Sequence, residues 1–164
     1  MDKLVIEGGK PLSGTIVIQG AKNAALPILA ASMLAKGTTT IDSVPHLLDI
    51  EVMLNILCEL GCRAEHKGET VVLDTAAAST SHVPEALMKQ MRSSIFLMGP
   101  LLARFGEAQV YQPGGCAIGE RKIDLHLQGL QALGASIEET GNRIICRADK
   151  LCGADIYLSF PSVG

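Results

Sequence analysis

The stretch "CELGCRAEHKGETVVL" (residues 58–73) recurs 73 positions further along the chain as "QALGASIEETGNRIIC" (residues 131–146). A third copy begins near the end of the chain, where "LCGADIY" (residues 151–157) resembles "LSGTIVI" (residues 12–18). Similarity at a fixed spacing indicates that each copy is one supersecondary unit, which buries a face against its neighbours. The sequence therefore predicts two repeat units and the start of a third, which a strand over residues 151–158 opens.

Each unit has the predicted order β-α-β-α-β-β. In the first unit, the predicted strands cover residues 15–19, 38–42, 63–67 and 70–74, and the predicted helices cover residues 24–36 and 49–60. Pro27 is tolerated in the first turn of the first helix, and Asp49 is positioned to cap the second. The second unit repeats this order over residues 92–147, although residues 81–90 offer no clear first strand.

Composition and charge exclude several classes of protein. The chain has 164 residues, of which 48% are hydrophobic and 3% aromatic, so aliphatic side chains must form the core. Its 14 Lys and Arg against 17 Asp and Glu leave no basic footprint for nucleic acid or an anionic membrane. With no apolar run of membrane-spanning length and no signal-like start, we expect a cytoplasmic protein with reduced cysteines.

The second unit has a longer loop than the first. The segment from Gly106 to Gly134 spans 28 positions, whereas the matching segment from Gly37 to Gly61 spans 24. The four extra residues fall in the loop over residues 113–122, which carries Cys116 among glycines and beside Arg121 and Lys122. Because nearby cations favour a thiolate, this composition points to a reactive thiol or an anion site, with a buried structural cysteine as the alternative.

Basic residues also stand where the repeat predicts helices to begin. Lys22-Asn23 opens the first helix, Met91-Arg92 lies at the same place in the second unit, and Pro161-Ser162 lies there in the third. The free N–H groups and the positive dipole end at such positions favour anions. The alternative is that Lys22 and Arg92 are solvated surface cations.

Three motifs resemble those of UDP-N-acetylglucosamine enolpyruvyl transferases (1-carboxyvinyltransferases). They are "GAKNAALPILAASML", "MRSSIFLMGPLLARFG" and "PGGCAIGERKIDLH". The resemblance implies an α/β fold, the inside-out α/β barrel of β-α-β-α-β-β repeats, here incomplete. It also implies that residues 1–21 start the first domain, that residues 22–164 form most of the second, and that a C-terminal half is missing.

The reaction implied by the resemblance transfers enolpyruvyl from phosphoenolpyruvate to the 3-hydroxyl of UDP-N-acetylglucosamine and releases phosphate. It is the first committed step of peptidoglycan synthesis, and so belongs to cell wall biogenesis, cell shape and cell division. No metal or organic cofactor is implied. The implied partners are the two small-molecule substrates, with no nucleic acid or membrane.

The resemblance also assigns roles to residues of this chain. Cys116 matches the family's general acid, which can form a covalent adduct with phosphoenolpyruvate, while Lys22 and Arg121 match cations that hold phosphate and carboxylate. Asn23 and Arg92 match residues that line the sugar-nucleotide site. The residues matching segments that bind the uridine diphosphate part are Arg121, Lys122, Ile123, Asp124, Leu125, Ser162, Val163 and Gly164.

Two departures leave alternatives open. Leu48 stands where some family members carry a lysine, and the family's catalytic aspartate and a further arginine match no residue up to Gly164. The isolated chain is therefore expected to be inactive, and it could be a non-catalytic module that binds an anion or a nucleotide sugar. A shikimate-type enolpyruvyl transferase is a further alternative, although the "PGGC" motif argues against it.

Overall fold

The computed structural model of the chain describes residues 3–114 and 122–159, and it contains two units of the same construction. The first unit has α1 (Lys22–Ala31), β1 (Thr38–Ile41), α2 (Leu48–Glu59), β2 (Arg63–Lys67) and β3 (Thr70–Asp74). The second unit has α3 (Glu85–Met88), α4 (Met98–Phe105), β4 (Glu107–Tyr111), α5 (Asp124–Ala132), β5 (Ser136–Thr140) and β6 (Arg143–Arg147). Short 3₁₀ helices cover Ser32–Leu34 and Arg92–Leu97.

The two sheets have the same topology and the same register. Their strand orders are β1-β3-β2 and β4-β6-β5, and all neighbouring strands run antiparallel. In the first sheet Asp74 pairs with both Thr38 and Arg63. In the second, Arg147 pairs in the same way with Glu107 and Ser136. The repeat predicted from the sequence is therefore confirmed by the strand pairing.

The core lies between the helices and the inner faces of the two sheets. Branched aliphatic residues and methionines supply it, as the low aromatic content requires. The fully buried members include Leu26, Leu29, Met33, Ile50, Met53, Ile56, Leu57, Leu73, Met88 and Leu97. α1 packs against α2 and against the 3₁₀ helix Arg92–Leu97, so helices of the two units pack directly against each other.

Two predicted strands are absent. Residues 15–19 and 151–158 form neither helix nor strand, and Ile16 and Val17 are 83% and 87% exposed. The residues are β-branched as predicted, but a strand also needs a neighbour for its N–H and C=O groups. No described strand lies beside either segment, so these two predictions were wrong for this chain.

Local details of the helices also differ from expectation. α1 begins at Lys22, so Pro27 lies in its second turn instead of its first. Asp49 does not cap α2, because the N-cap position is Leu47 and no side chain caps it. In the second unit, an isolated parallel bridge between His82 and Gln109 stands where a first strand was sought.

Candidate functional site

Lys22 lies in the first turn of α1 and forms an ion pair with Asp49 at the start of α2. The Nζ–Oδ2 distance is 2.5 Å, and the two side chains are 41% and 32% exposed. The N–H groups of Ala24 and Ala25 both donate to the carbonyl of Ala21, which leaves the N–H groups of Lys22 and Asn23 without helical acceptors. The Asn23 residue is exposed beside them. This end of α1 therefore presents backbone N–H donors together with the Lys22 ammonium, which Asp49 holds in place.

The long loop of the second unit begins in close contact with the segment that leads to Arg92. The N–H of Gly114 donates to the carbonyl of Met88 at 3.2 Å. A Cβ on Gly114 would stand 2.0 Å from the carbonyl oxygen of Lys89, well inside van der Waals contact. Only glycine permits this approach. An analogous crossing occurs in the first unit, where a Cβ on Gly20 would stand 1.6 Å from the carbonyl oxygen of Ser43.

The loop ends beside Arg92 as well. Arg92 donates through Nη2 to the carbonyl of Lys122 at 3.4 Å. Ile123 follows with its side chain 4% exposed in the core, and its carbonyl accepts the N–H of Leu127 as α5 begins. Both described ends of the loop are therefore fixed against residues 88–92.

Asn142, in the β5–β6 turn, ties the end of β4 to α3. Its carbonyl accepts the N–H of Gln112 at 2.7 Å, and its side-chain amide donates to Glu85 at 2.7 Å. Lys89 also pairs with Glu85, at 2.5 Å. Hydrogen bonds from Lys89 and then Asn142 lower the pKa of Glu85 below its usual value. These contacts hold the short α3 helix, which precedes the segment beneath the loop.

The remaining candidates divide into two groups. Lys122 and Asp124 are exposed, and Leu125 lines a cavity of about 330 Å³ together with Ile95, Phe96 and His126. Ile123 is buried as a whole residue, so its predicted contact with a ligand is not supported by its exposure. Cys116, Arg121, Ser162, Val163 and Gly164 lie outside the described residues, so their predicted roles stay predictions.

The described cysteines have different surroundings. Cys58 and Cys152 are exposed, whereas Cys62 and Cys146 are buried, and all four are free thiols. Burial raises the pKa of Cys62 to about 11, against a partly compensating effect of the nearby Arg104 charge. Burial likewise raises the pKa of Cys146 to about 11. Both buried thiols therefore stay protonated at neutral pH and are poor nucleophiles.

Three residues of the site were missed at the sequence level. The ion pair between Asp49 and Lys22 was missed because the two residues are 27 positions apart, and because the sequence favoured Asp49 as a helix cap. Asn142 looked like an ordinary turn residue, since only the fold brings it to Glu85. The close approach at Gly114 had one usable signal, which is the pair of adjacent glycines directly after Pro113.

Comparison with known proteins identifies relatives over the whole chain. Residues 6–164 match the family described as EPSP synthase (3-phosphoshikimate 1-carboxyvinyltransferase). UDP-N-acetylglucosamine 1-carboxyvinyltransferase of Nitratidesulfovibrio vulgaris (strain Hildenborough) is 53% identical over 164 residues, which is 100% of this chain and 39% of that protein. The proteins of the same name from Desulfosudis oleivorans and Acinetobacter baylyi are each 48% identical, over 99% and 100% of this chain. The chain spans about 39% to 40% of the length of these relatives.

Solved structures support the fold. The enolpyruvyl transferase NikO from Streptomyces tendae matches with a TM-score of 0.75 at 23% identity, over 88% of this chain and 32% of that one. EPSP synthase from Acinetobacter baumannii matches with a TM-score of 0.66 at 20% identity, over 92% of this chain and 35% of that one. The described residues contain no helix that is both long and apolar enough to span a membrane. With two sheets of the same topology and a family match over residues 6–164, the chain belongs to the EPSP synthase family of enolpyruvyl transferases.

Proposed function

We propose that this chain forms part of an enzyme that transfers enolpyruvyl from phosphoenolpyruvate to the 3-hydroxyl of UDP-N-acetylglucosamine, with release of phosphate. The main support for this proposal is that relatives named UDP-N-acetylglucosamine 1-carboxyvinyltransferase are 48% to 53% identical to the chain over almost all its residues. The geometry of the described residues is compatible with it. The helix that begins at Lys22 packs against the 3₁₀ helix that begins at Arg92, and both described ends of the loop that carries Cys116 are fixed against residues 88–92.

The proposed roles follow the resemblance residue by residue. Lys22 and Arg121 hold the phosphate and carboxylate of phosphoenolpyruvate, and cations placed where charge develops are a large term in such chemistry. Cys116 gives its proton to the methylene carbon as the sugar oxygen, giving up its own proton, bonds to the neighbouring carbon. Phosphate then leaves together with a proton from the new methyl group, which restores the double bond. Asn23 and Arg92 face the nucleotide sugar, together with residues 121–125 and 162–164.

The proposal extends to domain organisation and setting. Residues 1–21 belong to the first domain and residues 22–164 to the second, with the rest of the site supplied by a C-terminal part. This division is supported by residues 3–20, which form no helix or strand here and expose their apolar side chains. The four free described cysteines favour a reducing compartment, in line with a cytoplasmic enzyme of peptidoglycan synthesis.

The experiment continues these 164 residues with the remaining part of the Nitratidesulfovibrio vulgaris relative, a polypeptide termed here the completed enzyme. Phosphate release is measured with phosphoenolpyruvate and either UDP-N-acetylglucosamine or shikimate 3-phosphate. We expect phosphate release when UDP-N-acetylglucosamine is the acceptor and none when shikimate 3-phosphate is the acceptor. The Cys116→Ala variant should lose this release. Turnover with shikimate 3-phosphate instead would overturn the proposal in favour of a shikimate-type enolpyruvyl transferase. The absence of phosphate release with either acceptor would reject the proposal.

A further inference from the structure

The ion pair between Lys22 and Asp49 has no evident purpose in folding. Its side chains are 41% and 32% exposed, and pairs this open to water contribute little to stability. A cation in the first turn of a helix is also unfavourable with respect to the helix dipole. The pair therefore needs an explanation other than stability.

Asp49 is held by a rigid element and is directed away from its own helix. Ile50 and Met53, which follow Asp49 on α2, are fully buried, and α2 packs against α1. The N–H groups of Ile50 and Glu51 bond to the carbonyl of Leu47, so the first turn is closed by backbone alone. The carboxylate of Asp49, which caps nothing, reaches the ammonium of a residue 27 positions earlier.

We propose that Asp49 is a positioning residue, which orients the Lys22 ammonium toward the anionic substrate at the start of α1. This inference rests on the proposed function, in which Lys22 holds the anion. An ammonium has three N–H donors. Asp49 accepts one of them, so the other two point in directions set by α2 and not by the freedom of a long side chain. Holding a charged group in place before the substrate arrives is a large part of catalytic efficiency.

The chain supplies a matched control. Glu51 is an exposed acid in the same first turn of α2, and among residues 3–114 and 122–159 it forms no ion pair. Glu51→Gln changes net charge and the helix-end electrostatics as Asp49→Asn does. Only Asp49→Asn removes the contact with Lys22.

In the completed enzyme, Asp49→Asn should lower kcat at least about tenfold, since small misplacements of a catalytic group are costly. The KM for phosphoenolpyruvate should change much less, because Lys22 keeps its charge. Asp49→Glu should retain part of the lost kcat, and Glu51→Gln should leave kcat within about twofold of the parent. An unchanged kcat in Asp49→Asn would overturn the proposal. A lower KM at unchanged kcat would do so too, because Asp49 would then be a competitor of the anion.

A double-mutant cycle tests whether Asp49 acts through Lys22. In a Lys22→Ala background, Asp49→Asn should lower kcat by less than about twofold further, because the group it orients is gone. A full additional loss would show that Asp49 acts elsewhere. Equal falls in the unfolding midpoint of Asp49→Asn and Lys22→Ala, absent in Glu51→Gln, would assign the pair to folding and also overturn the proposal.

A measurement without turnover separates this inference from the proposed function. An amine-acylating reagent labels Lys22 in the completed enzyme with and without saturating inorganic phosphate, and mass spectrometry locates the label. Phosphate should protect Lys22 in the parent and in Glu51→Gln, and should protect it much less in Asp49→Asn. Equal protection in all three would overturn the role of Asp49 even if the enzyme turns over as proposed. The expected pattern in an inactive completed enzyme would support Asp49 while the proposed reaction failed.

Discussion

Arg104, near the end of α4, donates through Nη2 to the carbonyl of Thr75 at 2.7 Å and so ties the second unit to the first. Its Nη1 donates to the carbonyls of Met33 and Ala35 at 3.0 Å and 3.2 Å. One guanidinium thus satisfies three carbonyl groups of the first unit. Removing one partner of a charged hydrogen bond leaves the other unsatisfied, which costs more than the bond itself contributes.

We expect Arg104→Gln to lower the free energy of unfolding by about 2 kcal/mol or more, because glutamine cannot reach all three carbonyls. Urea denaturation of the chain, followed by circular dichroism, measures the loss. Arg63→Gln is the matched control, since Arg63 is exposed on β2, and it should stay within about 0.5 kcal/mol of the parent. Equal effects of the two variants would show that Arg104 does not link the units.

Gly114→Ala should displace the loop without unfolding the protein. Its new Cβ would stand 2.0 Å from the Lys89 carbonyl oxygen, so the backbone on one side must move. In the completed enzyme we expect turnover to fall by about tenfold or more, because the loop carries Cys116. Gly129→Ala is the control, since nothing lies within 4 Å of a Cβ there and alanine favours the α5 helix. Parental turnover in Gly114→Ala would show that the loop tolerates a new starting position.

Local patterns predicted the repeat well, because each signal belongs to one short segment. The hairpin strands over residues 63–67 and 70–74 were placed at their observed bounds, since alternation and Gly68 are local features. Strands over residues 15–19 and 151–158 could not be judged in this way, because a strand depends on a neighbour elsewhere in the fold. The same limit applies to Asp49. An aspartate carboxylate at this position can cap the helix or form an ion pair, and the packing of α1 against α2 brings it to Lys22.

Stability above pH 9 should depend on Cys62. Its pKa is raised from 9.0 to about 11 in the folded chain. Between these values the unfolded thiol loses its proton while the folded one keeps it, so the free energy of unfolding falls as pH rises. Cys62→Ala should make this decline shallower in urea titrations from pH 8 to pH 10.5, although it weakens the protein at every pH. The remaining decline comes from Cys146, whose pKa is raised in the same way. Cys58→Ala, which changes an exposed thiol four residues earlier, should alter the slope much less, because burial is the main cause of the raised Cys62 pKa. An unchanged slope in Cys62→Ala would contradict the assignment.

Cys116 should be the first of the five cysteines to react with an alkylating reagent. The glycines, Arg121 and Lys122 around it favour an accessible thiolate, whereas Cys62 and Cys146 are buried with raised pKa values. Brief substoichiometric treatment with iodoacetamide, followed by peptide mass spectrometry, gives the order of labelling. Cys58 and Cys152 serve as internal controls for exposure alone. Faster labelling of either control than of Cys116 would remove the case for an activated thiol.

The isolated chain should self-associate through its uncovered extended segments. Residues 3–18 expose Leu4, Val5, Ile6 and Leu12 at 80% to 98% of their accessible surface, and Tyr157 is 85% exposed near the other end. Extended apolar segments with free backbone groups pair with other chains. Sedimentation velocity should therefore show concentration-dependent oligomers of the 164-residue chain.

Replacing Ile16, Val17 and Ile18 by serine should reduce these oligomers, whereas the single change Val72→Ser on β3 should not. In the completed enzyme the same segments should gain neighbours, and association should be lost. A chain that stays monomeric at high concentration would mean that these segments fold back on themselves.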